Sequence, residues 1–331
     1  MSVQPIENPV ATIMRLIENR IRVIKDNVAV ALVKVTEEDY DRELLKDYDA
    51  QVTVGLDPTR GVEDQKLNLA GTLRRRVVWL KVVGCAMNRA DTSADTGQVM
   101  RDKLTEQIDA IIRENRSNPY TTTYNFYSLG YPSGYPHVAK DASGAAADLV
   151  PTSASWAELS AANYQKIWSN DDIFHSKSNA AVGGYSLMLF KFKIGAYEPS
   201  VKSIVLTFTG YGTAPGGDGA IIKVWDHVSS SWGNAQSGTA GAKETLTITL
   251  TSAWTNYIDA DGFLYLLAET TNPTGGSAAV LYCDFVQCVT QVKGLTNCDV
   301  VIYKTSTEKA VKPYVFKTEF QLKGWLIENI P

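Results

Sequence analysis

The spacing of apolar residues along the chain divides it into two styles, one mixed and helical, the other strictly alternating. Over residues 8–25, Val10, Ile13, Ile17, Ile21 and Ile24 recur every three or four positions, which is one stripe of an amphipathic helix. Asn8 suits its cap and Pro9 its first turn, where a missing N–H costs nothing. Arg15, Glu18, Arg22 and Lys25 fall off the stripe. A second stripe, Met100, Leu104, Ile108 and Ile111, predicts a helix over 97–116 that Asn118-Pro119 stops. Between the two, Ala29–Val35, Gln51–Leu56 and Leu67–Val83 read as strands, with an acidic turn or loop over Glu37–Asp49. In the long strand Arg74, Arg76, Val78, Leu80 and Val82 share one face, and Arg75, Val77, Trp79, Lys81 and Val83 the other. Its apolar half should be buried and its arginine-bearing end exposed. Asn88–Thr96 reads as a loop.

From Ser186 onward the period is two. Met188/Phe190/Phe192/Ile194, Ile204/Leu206/Phe208, Leu246/Ile248/Leu250 and Phe263/Tyr265/Leu267 alternate with their neighbours, and turn clusters at Gly210–Gly219 and Ser229–Gly241 separate them. With Ile221–Trp225 and Val280–Val286 this makes about seven strands, a β-sandwich most simply of jelly-roll type. Asp299–Lys304 and Tyr314–Leu326 form a last pair, in which Phe316, Thr318, Phe320 and Leu322 alternate with Lys317, Glu319, Gln321 and Lys323.

Composition changes the picture by grouping these elements. The 140 residues 151–290 hold only 7 of the 32 basic and 11 of the 36 acidic residues, leaving 25 of each in the other 191. The charged style returns from Asp299. A host domain split by a guest explains both changes: residues 1–120 with 291–331 form the host, 121–160 an extended arm or linker, and 161–290 the inserted sandwich. The expected fold class is α+β, a small antiparallel sheet with two helices, interrupted by an inserted all-β jelly-roll-like sandwich. A length of 331 residues suits two cores. The host is neutral and the guest carries the net charge of −4, without the basic excess of a dedicated nucleic-acid binder. No apolar run approaches the roughly 20 residues of a membrane span, and the N-terminus lacks the apolar core of a signal peptide. A cytosol-made protein with no membrane partner is expected.

Few residues suggest chemistry. Cys85, Cys283, Cys288 and Cys298 lack metal or redox spacing, and an odd offset should send Cys283 and Cys288 to opposite faces of a strand, as buried free thiols. His137, His175 and His227 lie in three separate segments. Gly210–Gly219 lacks the Lys-Ser/Thr pair and following helix of a phosphate loop. Asp259-Ala-Asp261-Gly262 offers carboxylates to calcium but lacks the downstream Glu, and Asp-Gly is a common turn. Trp225, Trp232 and Trp254 are candidates for sugar stacking, or for sandwich core and rim, with Trp232 and Trp254 the tentative glycan contacts. Arg74, Arg75 and Arg76 are tentative subunit or partner contacts, or a solvated strand end. No nucleophile, carboxylate pair or cofactor cradle stands out, so no enzyme activity, cofactor or metal is expected.

The order NPVATIMRLIENRI, GTLRRRVVWLKVVG, RDKLTEQIDAIIRENRSNP and VFKTEFQLKGWL resembles the tail terminator (tail completion) proteins of tailed viruses. It covers about 190 residues and leaves the insert outside it, a likeness of topology and texture without an invariant motif. The resemblance implies a ring, usually hexameric, that caps the tail tube and meets the head-side connector. It implies a place in the virion tail or neck, assembled in the host cytoplasm. Arg74–Arg76 and Glu37–Asp49 would then touch neighbouring subunits or the tube. The insert and the Tyr-rich arm depart from that family's compactness; the insert looks like the jelly-roll modules of carbohydrate-binding and virion-decoration proteins. The expected function is therefore a structural virion protein with an outward-projecting sandwich. Its rivals are another virion component (head–tail adaptor, tail tube or baseplate) and a carbohydrate-binding surface protein.

Overall fold

The computed structural model describes residues 4–329 except 26–28, 40, 43, 68–72, 89–95, 127–136, 145, 180, 182, 272–277 and 311. They form two compact units, residues 1–122 with 292–331, and residues 123–291.

Helix α1 (Pro9–Arg20) begins where expected: the Asn8 side chain accepts from the Val10 N–H at 3.0 Å, and Val10, Ile13, Leu16 and Ile17 are buried. It ends at Arg20, short of residue 25, because Ile24–Lys25 (β1) pairs with Ala29–Val30 (β2). Arg15 is a correction to the stripe. It is 2% exposed, locked at 2.6 Å to a fully buried Glu7 whose carboxylate also takes the Thr12 hydroxyl at 2.7 Å. A charge buried this way needs its partner, which lies before the helix cap. The chain continues through β3 (Val33–Thr36), a single helical turn α2 (Leu44–Asp47), β4 (Ala50–Leu56), β5 (Glu63–Lys66) and β6 (Leu73–Met87). Most of the expected loop 88–96 lies outside the described residues. Helix α3 (Gly97–Glu114) follows, capped by Thr96 and burying Met100, Leu104, Ile108 and Ile111.

The second unit is wound from β7 (Thr121–Asn125), β8 (Val138–Gly144), β9 (Ala157–Glu158), a helical turn α4 (Ala161–Tyr164), β10 (His175–Asn179), β11 (Tyr185–Lys193) and β12 (Val201–Thr213). It continues with β13 (Ala220–Asp226), β14 (Ser231–Ser237), β15 (Glu244–Leu250), the turn α5 (Trp254–Tyr257), β16 (Phe263–Thr270) and β17 (Ala279–Val292). One sheet runs β10-β17-β12-β15, with β7 beside β17; the other runs β14-β13-β16-β11-β8-β9. The eight strands β10 to β17 thus follow jelly-roll order, changing sheet at every step except from β13 to β14. Phe190 of one sheet meets Phe208 of the other at 6.3 Å in a core that includes Leu206, Ile222, Leu266 and Leu281. Across the margins, Asp141 of β8 accepts from His175 (3.0 Å) and Lys177 (2.8 Å) of β10.

The stretch 121–160 corrects the expected arm. Its described residues supply β7, β8 and β9, and Ala139 and Ala142 are buried in the six-stranded sheet. Small side chains fit there, which makes the strand look like a linker by composition. Residues 127–136 of the Tyr-rich stretch lie outside the described residues.

The last strands, β18 (Asn297–Glu308) and β19 (Val315–Asn329), return to the first unit. There β19 lies antiparallel to β6 over its whole length, from Val315 opposite Met87 to Asn329 opposite Leu73. The sheet order is β18-β19-β6-β4-β3, with β5 added beside β6. Val52, Val54, Leu80, Val82, Phe320 and Leu322 face α1 and α3 in one core, each burial contributing roughly 1.5–3 kcal/mol. The α+β expectation of a small antiparallel sheet with two helices is overturned. Among the described residues there are nineteen strands against two helices longer than one turn, and the chain is mostly β. The sheet is six-stranded, its β3–β4 pair is parallel, and β6 and β19 each reach 15 residues.

Candidate functional site

Among the described residues no three His, Cys, Asp or Glu side chains gather as a metal site, and no helix is long and apolar enough to cross a membrane. His137 is buried and its Nδ1 accepts from the Lys193 N–H; His175 belongs to the Asp141 link; His227 packs on Tyr265. All four cysteines are buried and free, and burial pushes Cys85, Cys288 and Cys298 up to about 12. Cys283 and Cys288 are both fully buried, as expected of free thiols. Asp259 closes a turn, its Oδ1 accepting from the Phe263 N–H at 2.8 Å, with Gly262 at φ +76°.

The sequence-predicted contact residues are not brought together. Arg74 lies 3.3 Å from Asp64, and Arg75 donates to Gln65 Oε1 at 2.6 Å, both on β5. Arg76 stands on β6 opposite Leu326. Trp232 is half-buried, donates its indole N–H to Leu149 O at 3.3 Å and meets Trp225 edge-on at 5.1 Å. Trp254 opens the turn α5 and is half-buried. In the first unit, a cavity of about 240 Å³ is lined by Asp57, Lys81, Lys304, Glu319 and Phe320 among others. Its Glu319 is already held by Lys304 (3.2 Å) and Lys81 (3.4 Å). Burial opposes ionisation there, but the two lysines win and hold the carboxyl below its ordinary range.

The two outer faces of the jelly roll differ. On the six-stranded sheet, Leu187, Leu189 and Leu267 are covered by Trp156 and Leu149. The salt bridges of Lys223 to Glu269 (2.6 Å) and Asp148 (2.5 Å) fasten that cover. The five-stranded sheet instead exposes Thr245, Thr247 and Thr249 of β15 and Ser176 and Ser178 of β10. On it Tyr211 of β12 and Tyr282 of β17, both half-exposed, stack at 4.4 Å and 12°. Phe174 stands edge-on to both, at 5.6 and 6.3 Å. Gly210 makes the approach possible, since an added Cβ would run into the Tyr282 carbonyl. Burial, then the neighbouring Tyr282, pushes the Tyr211 hydroxyl up, so it stays a neutral donor. Beside the rings, Lys243 bridges Asp172 and the fully buried Asp284, and Thr209 and Thr245 share a hydroxyl contact of 3.2 Å. The face combines a flat apolar platform with hydroxyls, a carboxylate pair and an ammonium held in place. Sequence reading missed it because its rings come from strands distant in the chain; the Tyr–Gly alternation around Gly210 was the available sign.

Residues 140–292 match a family model described as the C-terminal domain of an uncharacterized protein. No curated protein matches. Solved structures similar to the chain include a family 16 carbohydrate-binding module, 13% identical, TM-score 0.24, covering 47% of this chain and 86% of its own. A xylan-binding module is 10% identical with TM-score 0.28, covering 52% and 97%. A third module, solved with β-1,4-galactotriose, is 10% identical with TM-score 0.22, covering 54% and 93%. Likenesses this loose assign no ligand to this chain.

Proposed function

We propose that the jelly-roll unit is a carbohydrate-binding module and that the five-stranded face carrying Tyr211 and Tyr282 receives the sugar. A pyranose presents flat C–H faces bounded by hydroxyl edges. It is recognised by an aromatic surface with fixed polar groups around it. The observation that carries the reading is the stacked, half-exposed tyrosine pair on a threonine- and serine-lined sheet. Few side chains there need to be ordered on binding, because Lys243 and the tyrosines are already held. Affinity electrophoresis of the full chain against neutral β-linked polysaccharides tests it. Tyr282→Ala and Tyr211→Ala should each weaken retardation about tenfold, near 1.4 kcal/mol. Trp254→Ala should leave it unchanged. Equal retardation of the wild type and both tyrosine variants would remove the face from consideration.

A second reading concerns the first unit. Strand β18 is the end of its sheet, and Val301, Ile302 and Tyr303 are 50, 61 and 49% exposed along it. Long apolar edges favour pairing with another chain. We infer self-assembly through this edge, in line with the virion ring that the sequence resemblance implies. Native mass measurement tests it: closed oligomers that Ile302→Lys disperses support the reading, and a monomer at all concentrations contradicts it.

A further inference from the structure

On the other sheet of the jelly roll the cover formed by Trp156 and Leu149 stops short. Further along the same strands the outward residues are Lys191 and Lys193 of β11 and Phe263 and Tyr265 of β16, all half-exposed. Lys191 stands opposite Tyr265 and Lys193 opposite Phe263. The Lys191 ammonium lies 3.5 Å from the centre of the Phe263 ring and 5.8 Å from that of Tyr265. It makes no hydrogen bond or ion pair with a described residue. Burial, and then the charges of Lys140 and Lys193, hold it below the ordinary lysine range, although Asp259 and Asp261 act the other way. The Asp259 carboxylate is committed to the Phe263 N–H, and Lys193 to the Asp261 carbonyl.

His227 comes to the same ring from β13's far end. Its imidazole lies 5.7 Å from the Tyr265 centroid, and its Nε2 is buried without a hydrogen-bond partner. Lys191 and His227 therefore flank one aromatic ring from the two strands beside β16; the Lys191 ammonium reaches the surface, and the His227 Nε2 is enclosed by protein. An oxyanion beside Tyr265 would pair with the Lys191 ammonium and relieve the repulsion among the three lysines. Beyond Tyr265 the apolar surface continues through Trp225 to Trp232, which face each other across β13 and β14. Neighbouring strands are about 4.8 Å apart, so rings on three strands extend over about 10 Å, enough for two linked sugars.

From this arrangement we infer a second binding site, for an acidic saccharide. Its carboxylate or sulfate pairs with Lys191 beside Tyr265, and the adjoining sugar lies toward Trp225 and Trp232. The site uses different residues from the Tyr211–Tyr282 face and does not depend on it.

The test is calorimetric titration of the full chain with three probes: a glucuronate-containing tetrasaccharide, a neutral glucose tetrasaccharide and sodium sulfate. The acidic tetrasaccharide should bind about tenfold more tightly than the neutral one, near 1.4 kcal/mol. Lys191→Met keeps the aliphatic stem over Phe263 and should abolish that preference. Tyr282→Ala should leave the preference intact, so loss of neutral-sugar binding there speaks only to the other face. The inference is overturned by equal affinity for the two tetrasaccharides. A preference that survives Lys191→Met, or sulfate alone binding as tightly as the acidic tetrasaccharide, overturns it as well. A sulfated neutral tetrasaccharide binding as the glucuronate does supports it and identifies the anionic group as interchangeable.

Discussion

The two units solve the same problem, burying a sheet, with different chemistry. The first backs one face of its sheet with α1 and α3 and admits an ion pair, Glu7–Arg15, into its interior. The second closes two sheets on each other, keeps aromatic residues between them, and places its ion pairs at the margins and under the loop over the outer face. The difference teaches where specificity resides. In the first unit both members of the pair are buried, whereas in the second the buried carboxylates Glu269 and Asp284 are paired with lysines that still reach solvent, and the proposed sites lie on those outer faces.

The comparison breaks most severely at Glu7. Glu7→Gln removes the partner of a buried guanidinium and should destabilise the first unit by about 3–5 kcal/mol, read as loss of its transition in calorimetric unfolding. An equal loss in both units would show that they do not unfold separately. Next is Asp141→Asn, which should cost the second unit about 1.5–3 kcal/mol by weakening two charge-assisted hydrogen bonds. Burial raises the Asp141 value, but the His175 and Lys177 hydrogen bonds outweigh it, so the folded value lies below the unfolded one. Its contribution is present above the ordinary aspartate range of about 3.9 and fades as pH falls toward the folded value. Acid titration of unfolding should therefore show a smaller pH slope in Asp141→Asn than in the wild type.

Alkaline pH should act on both units alike. The thiols Cys85 and Cys298 in one and Cys288 in the other are raised to about 12, so their protonated folded state is favoured below the unfolded thiol range. Stability should drain from about pH 8.5 upward toward 12, and Cys288→Ala should flatten that loss in the second unit only. The mildest change is excision. The Val292 N–H donates to Tyr120 O at 2.9 Å, so a short Gly-Ser bridge from 122 to 292 should leave the first unit folded, its circular dichroism melt little altered. Aggregation of that chain would mean that the units are not separable.

How much of this was legible follows from what each signal measures. The stripes of α1 and α3 and the alternation of β11, β12 and β15 were readable because one side of each element is buried. Arg15 was misread because its partner Glu7 is outside the helix, and periodicity cannot see a tertiary ion pair. The strand β8 was hidden by Ala139 and Ala142, whose small size suits the sheet but weakens the apolar signal. The composition changes near 151 and 291; the units divide at 123 and 292. The tryptophans Trp225 and Trp232 belong to the other sheet. Tyr211, Tyr282 and Phe174 meet only through jelly-roll winding, which brings β12 and β17 together from distant parts of the chain.

Amide hydrogen exchange on the full chain, with and without a neutral β-linked oligosaccharide, tests the central claim most directly. The account predicts added protection in β12 and β17 around Tyr211 and Tyr282, with the first unit unchanged. Protection confined to β18 and β19, or none anywhere at saturating sugar, would contradict it.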